Sequence, residues 1–132
     1  MADLFRSLTA HERDVLEWML EPRFPGRDQL RAQLAVATVR DFDDDGCLEF
    51  DCGAAAPAPV RWTIPTEGEC LDADGLPVHV FLFVVNGFMK TLEVHTVSGS
   101  THSGLPDARR LTLFAPYSED AGVWTTSERF LK

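Results

Sequence analysis

Two hydrophobic periods divide the chain, and the change between them falls near residue 37. Before it, Val15, Leu16, Met19 and Leu20 recur at helical spacing with Trp18 beside them. Thr9 can cap this segment, Glu12 three residues later can reach back to the cap amide, and Pro22 ends it. Phe24-Pro25-Gly26 reads as a turn, and a second helix begins near Asp28 with Leu30, Leu34 and Ala37 on one face and Arg27, Arg31 and Gln33 on others. Residues 1–36 are thus expected to form a helical hairpin whose apolar faces need a sheet to cover them.

After residue 37 the period is two. Residues 38–42 and 48–52 read as strands around an acidic turn, since Leu48, Phe50 and Cys52 alternate with Glu49 and Asp51. Residues 53–59 form a loop of small residues. Val60, Trp62 and Ile64 alternate with Arg61 and Thr63, which predicts another strand stopped by Pro65. A short edge strand is expected at 67–71 and a last strand at 110–114. The tail, 115–132, has too mixed a pattern to assign.

The strongest local signal is 78–97, two strand-like runs joined by Asn86-Gly87. Both turn residues tolerate positive φ, so a two-residue type I′ hairpin is predicted. In an uninterrupted register Val85 faces Phe88, Phe83 faces Lys90, Phe81 faces Leu92 and His79 faces Val94. The opposite face then carries Val84 with Met89, Leu82 with Thr91, Val80 with Glu93 and Val78 with His95. The first strand is apolar on both faces, which predicts a central strand covered on two sides. Helices first, strands later and tight turns between them give an α+β fold: an N-terminal helical hairpin (1–36) on a mostly antiparallel sheet (37–114) with a central Asn-Gly hairpin, in one domain spanning 1–132.

Charge changes the picture more than composition does. With 12 basic against 21 acidic residues the net charge is −9, which argues against nucleic acid and anionic membranes; it suits a basic partner or serves only to keep the protein soluble, and solubility is the better reading. No apolar run approaches the ~20 residues that span a bilayer, and the first residues lack a secretory pattern, so a cytoplasmic protein is expected. Cys47, Cys52 and Cys70 have no Cys-x-x-Cys spacing and read as reduced, partly buried thiols.

Candidate chemistry is sparse. Asp41-Phe42-Asp43-Asp44-Asp45-Gly46 matches the start of a calcium loop, making Asp41, Asp43 and Asp45 weak calcium candidates, but position twelve is Cys52 where a bidentate Glu is needed. An acidic hairpin turn is the better reading. Asp72-x-Asp74-Gly75 is likewise a turn. In the uninterrupted register His79 and His95 point to opposite faces, so they share no metal, whereas Glu93 and His95 share one face and form the best acid/base pair, though polar residues of an outer sheet face are the better reading of them. No cofactor motif is present, so no cofactor is expected.

The pattern resembles a family of small bacterial proteins of unknown function (DUF6984-like). The likeness runs from about residue 6 to 106: Leu8-Thr9-x-x-Glu12 with Val15-Leu16-x-x-Met19-Leu20, Leu30-Arg31-x-Gln33-Leu34, Gly46-x-Leu48-x-Phe50, Asp72-x-Asp74-Gly75-x-Pro77-Val78-x-Val80, and Asn86-Gly87 followed by Leu92-Glu93-Val94. It departs from the family in the Ala/Pro-rich 53–59 and in 96–104, which lacks aromatics. The resemblance implies a small acidic binding protein of the immunity type and carries over no catalytic residues.

The expectation is therefore a non-enzymatic protein that meets a basic protein partner through an acidic surface, with Asp43, Asp45, Asp72, Asp74, Thr91, Glu93 and His95 as binding candidates. The alternative is a small accessory enzyme or ligand-binding protein, as in natural-product assembly, using Glu93 and His95. A homodimer that hides the exposed sheet face is a third form.

Overall fold

The computed structural model describes residues 4–119 and the short strand Val123–Trp124. The fold is α+β, with helices α1 (Ala10–Met19) and α2 (Arg27–Val36) preceding strands β1 (Thr38–Asp41), β2 (Leu48–Asp51), β3 (Thr66–Leu71), β4 (Pro77–Val85), β5 (Phe88–Thr96), β6 (Thr112–Phe114) and β7 (Val123–Trp124). The sheet runs β1-β2-β5-β4-β3-β6-β7 and every pairing is antiparallel. Most of the tail assigned no pattern lies outside the described residues.

Thr9 and Glu12 form the expected capping box, the hydroxyl accepting from the Glu12 amide and the carboxylate from the Thr9 amide. Arg6 then ties this helix start to the sheet. Its guanidinium grips Glu12 through two 2.9 Å bonds and Asp41 at 3.0 Å, while its backbone bridges to Val39. Burial alone would push the Glu12 carboxyl up, but Arg6 and the Thr9 amide outweigh it and hold the group below its ordinary range.

Both helices cover one face of the sheet. Val15, Leu16, Trp18 and Met19 of α1 and Leu30 and Leu34 of α2 join Val39, Leu48, Val80, Leu82, Leu92 and Leu113 in a single core. The Trp18 indole N–H donates to the Leu111 carbonyl at 2.9 Å, so this ring is anchored as well as buried.

Gln33, expected on a different helix face from Leu30 and Leu34, is buried completely on the same side. Its side-chain amide donates to the carbonyls of Gly87 (2.7 Å) and Ala56 (3.0 Å), and its oxygen accepts from the Met89 amide (3.0 Å). The central turn is thus fixed from inside the core. Asn86 has φ 53 and Gly87 φ 84, the two positive angles of a type I′ turn. A Cβ on Gly87 would sit 2.7 Å from the Ala58 carbonyl oxygen, so this position needs glycine for space and for conformation.

Three expectations are corrected. Residues 60–64 alternate but form no strand: Pro57, Pro59 and Pro65 remove ladder donors, and the segment meets the hairpin through isolated bonds, Ala58 N–H to Gly87 and Val84 N–H to Thr63. Residues 66–71 are no edge, because β3 pairs with β4 on one side and β6 on the other. Finally, β4 is central but covered on one face only: Val78, Val80, Leu82 and Val84 are buried, while His79, Phe81 and Phe83 are half-exposed and Val85 is exposed.

Candidate functional site: the helix-free face of the sheet

The uninterrupted register holds only next to the turn. Val85 pairs with Phe88 and Val84 with Met89, but Phe83 pairs with Thr91, so Lys90 is an extra residue on β5. Beyond this bulge every partner moves by one. Phe81 faces Glu93 and His79 faces His95, while Leu82, Val80 and Val78 pair with Leu92, Val94 and Thr96. A one-residue shift exchanges the faces of a strand. It therefore places the aliphatic residues of both strands inward and puts Phe81 and Phe83 on the same outer face as Thr91, Glu93 and His95.

The expectation that His79 and His95 lie on opposite faces is thereby overturned. They are direct cross-strand neighbours with Phe81 beside them, its ring centroid 5.8 Å from that of His79 and 5.3 Å from that of His95. Each imidazole Nε2 contacts a different carboxylate, His79 with Glu69 at 2.7 Å and His95 with Glu93 at 3.0 Å. The Thr91 hydroxyl donates to the other Glu93 oxygen at 2.9 Å. Among the described residues no group of three or more His, Cys, Asp or Glu is placed to hold a metal ion.

The face is polarised across its width. At the β1 and β2 side Glu49 is paired with Arg40 (2.9 Å) and Lys90 (3.5 Å), and the Arg40 guanidinium also lies 4.8 Å over the Phe5 ring. Toward β3 and β6, Glu67 and Glu69 share the outer face with Phe114 and Thr112, their cross-strand partners. A cleft of about 200 Å³ opens there, lined by Glu67, Gly68, Glu69, His79, Thr112, Leu113 and Phe114. Glu93 and His95 do not line it.

The acidic turns named as binding candidates carry internal bonds of their own. Both lie at the end of the sheet away from Asn86-Gly87. One Asp43 oxygen accepts from the amides of Asp45 (2.9 Å) and Cys47 (3.2 Å), and Asp41 bonds Arg6, so two of the three calcium candidates are committed within the protein. Asp72 is buried. It accepts from the amides of Asp74 and Leu76 and from the Ser100 hydroxyl at 2.7 Å, while Asp74 accepts from Thr101 at 3.3 Å. The Ser100 hydroxyl and then the Leu76 and Asp74 amides hold the Asp72 carboxyl below its ordinary range. These carboxylates shape turns and tie loops together.

All three thiols are buried and free. Cys47 and Cys52 flank β2 and bond the β5 backbone, Cys47 with Val94 and Cys52 with Met89. Burial pushes the Cys47 thiol up to about 11, which suppresses thiolate chemistry near neutral pH.

The chain matches no family model, no curated protein and no solved structure. Among the described residues no helix is long and apolar enough to cross a membrane.

Proposed function

We propose that this is a non-enzymatic binding protein whose helix-free sheet face docks a protein partner with a basic surface. The observation that carries the reading is the row of Phe81 and Phe83 on the central strand of that face, half-exposed, with Val85 and Phe114 exposed at 46% and 45%. An antiparallel sheet that keeps one face in water normally makes that face polar. Aromatic residues there, rimmed by Glu67, Glu69 and Glu93, have the apolar centre and polar border of a protein interface. The net charge of −9 favours a basic partner and speeds its approach. An immunity-type role, implied by the family resemblance, is one form of this activity.

A photo-crosslinking residue at position 83, compared with one at Glu17 on α1, tests the reading in the native host. A basic protein crosslinked from 83 and not from 17 supports it; no partner at 83, or equal capture from both, contradicts it.

The rival reading, a small accessory enzyme or ligand-binding protein, is favoured by the 3.0 Å contact of His95 with Glu93. Against it, the His95 side chain is 54% exposed, and neither it nor Glu93 lines the cleft beside it.

A further inference from the structure

We propose that the cleft between β3 and β6 is the anchor point for a single arginine or lysine side chain of the partner, an assignment that rests on the docking function above. At about 200 Å³ the cleft is smaller than the roughly 300–1,000 Å³ of small-molecule sites and suits one side chain. Its walls have the chemistry of a cation seat. Glu67 and Glu69 project from the same face of β3, and Phe114, directly opposite Glu67, supplies an exposed ring.

The same protein already uses this combination once: Arg40 lies over the Phe5 ring while pairing with Glu49. At the cleft the ring and the carboxylates are present; Glu69 is bonded to His79 at 2.7 Å, and among the described residues Glu67 has no ion-pair partner. Polarity also fixes the partner's orientation. Arg40 and Lys90 neutralise Glu49 on the β1 and β2 side, so a cation gains most over β3 and β6, with its apolar neighbours on Phe81 and Phe83. A second copy of this chain offers a worse match, because the cations its face carries on the β1 and β2 side, Arg40 and Lys90, are already paired with its own Glu49.

The test is an NMR titration of the full chain with acetyl-Leu-Arg-Leu-amide, using acetyl-Leu-Gln-Leu-amide as the neutral control. Saturable shifts concentrated at Glu67, Glu69, Thr112 and Phe114, weakened about tenfold in E67Q/E69Q with an unchanged spectrum elsewhere, are expected. Equal response to the neutral peptide, shifts confined to the 43–45 and 72–74 turns, or no saturable shift overturns the assignment. Protection of these four residues by self-association, read from dilution, overturns it in favour of a second copy. The two claims fail separately: a partner crosslinked at 83 without arginine binding removes the anchor and keeps the docking face, whereas arginine binding without a crosslinked partner keeps a cation seat in the cleft and removes the docking function, and with it the seat's role as an anchor.

Discussion

Gln33 donates a 2.7 Å hydrogen bond to the carbonyl of Gly87, joining the middle of α2 to the tip of the central hairpin through the core. The same side chain accepts from Met89, next to the Lys90 bulge, so one residue holds both the turn and the start of the register shift. Replacing it with leucine preserves bulk but leaves the Met89 amide without this acceptor. Q33L is expected to cost about 2–4 kcal/mol, read by urea denaturation, since buried backbone groups lose their partners. A loss under about 0.5 kcal/mol, the range of an ordinary surface change, would show that the contact does not hold the hairpin.

Deleting Lys90 tests the register itself. With the bulge residue gone, Phe83–Thr91 and Val84–Met89 become consecutive pairs, so Leu92 and Val94 still point into the core. The deletion variant should fold and keep the cross-strand contact of His79 with His95 in its NMR spectrum. In the uninterrupted register the same deletion would turn Leu92 and Val94 outward and unfold the sheet.

Acid should weaken the protein in part through Glu12. Its folded-state pKa lies below the ordinary 4.5, so the carboxylate form favours the native state. That contribution is full above the unfolded value and is lost as pH falls through the folded one. The stability gap between wild type and E12Q should therefore be constant near neutrality and shrink below about pH 4.5. A gap that stays unchanged to pH 3 would contradict the Arg6–Glu12 account.

Much of the fold is legible in the sequence because its signals are local. The Thr9–Glu12 box, the helical stripe ending at Leu20 and Asn86-Gly87 each act within a few residues. What is not legible depends on distant partners. Nothing near Lys90 marks a bulge, and the alternative of Leu82 facing Thr91 fits local preference nearly as well; only the inward packing of Val80, Leu82, Leu92 and Val94 together decides it. Gln33 looks like a surface residue until the turn it serves, more than fifty residues away, is folded beside it.

The candidate site inherits that difficulty. Thr91, Glu93 and His95 do share one face, as residues two apart on a strand must. Their neighbours are different from those expected, however: Phe81, Phe83 and His79 replace Val80, Leu82 and Val78. Asp43 and Asp72, placed in turns by the sequence and named as binding candidates, spend oxygens on backbone amides of those turns. Cross-strand pairing, absent from any local window, converts an acidic surface into an aromatic face with an acidic border.

The docking face is tested most directly by the affinity of the protein crosslinked at position 83 for wild type, F81A/F83A and D43N/D45N, measured by calorimetry at low and high salt. F81A/F83A is expected to lose at least about 100-fold in affinity, as for truncation of central aromatic anchors, with little change for D43N/D45N and weaker binding in salt. Full affinity in F81A/F83A, with the loss falling on D43N/D45N instead, would place the interface on the acidic turns and contradict the proposed docking face.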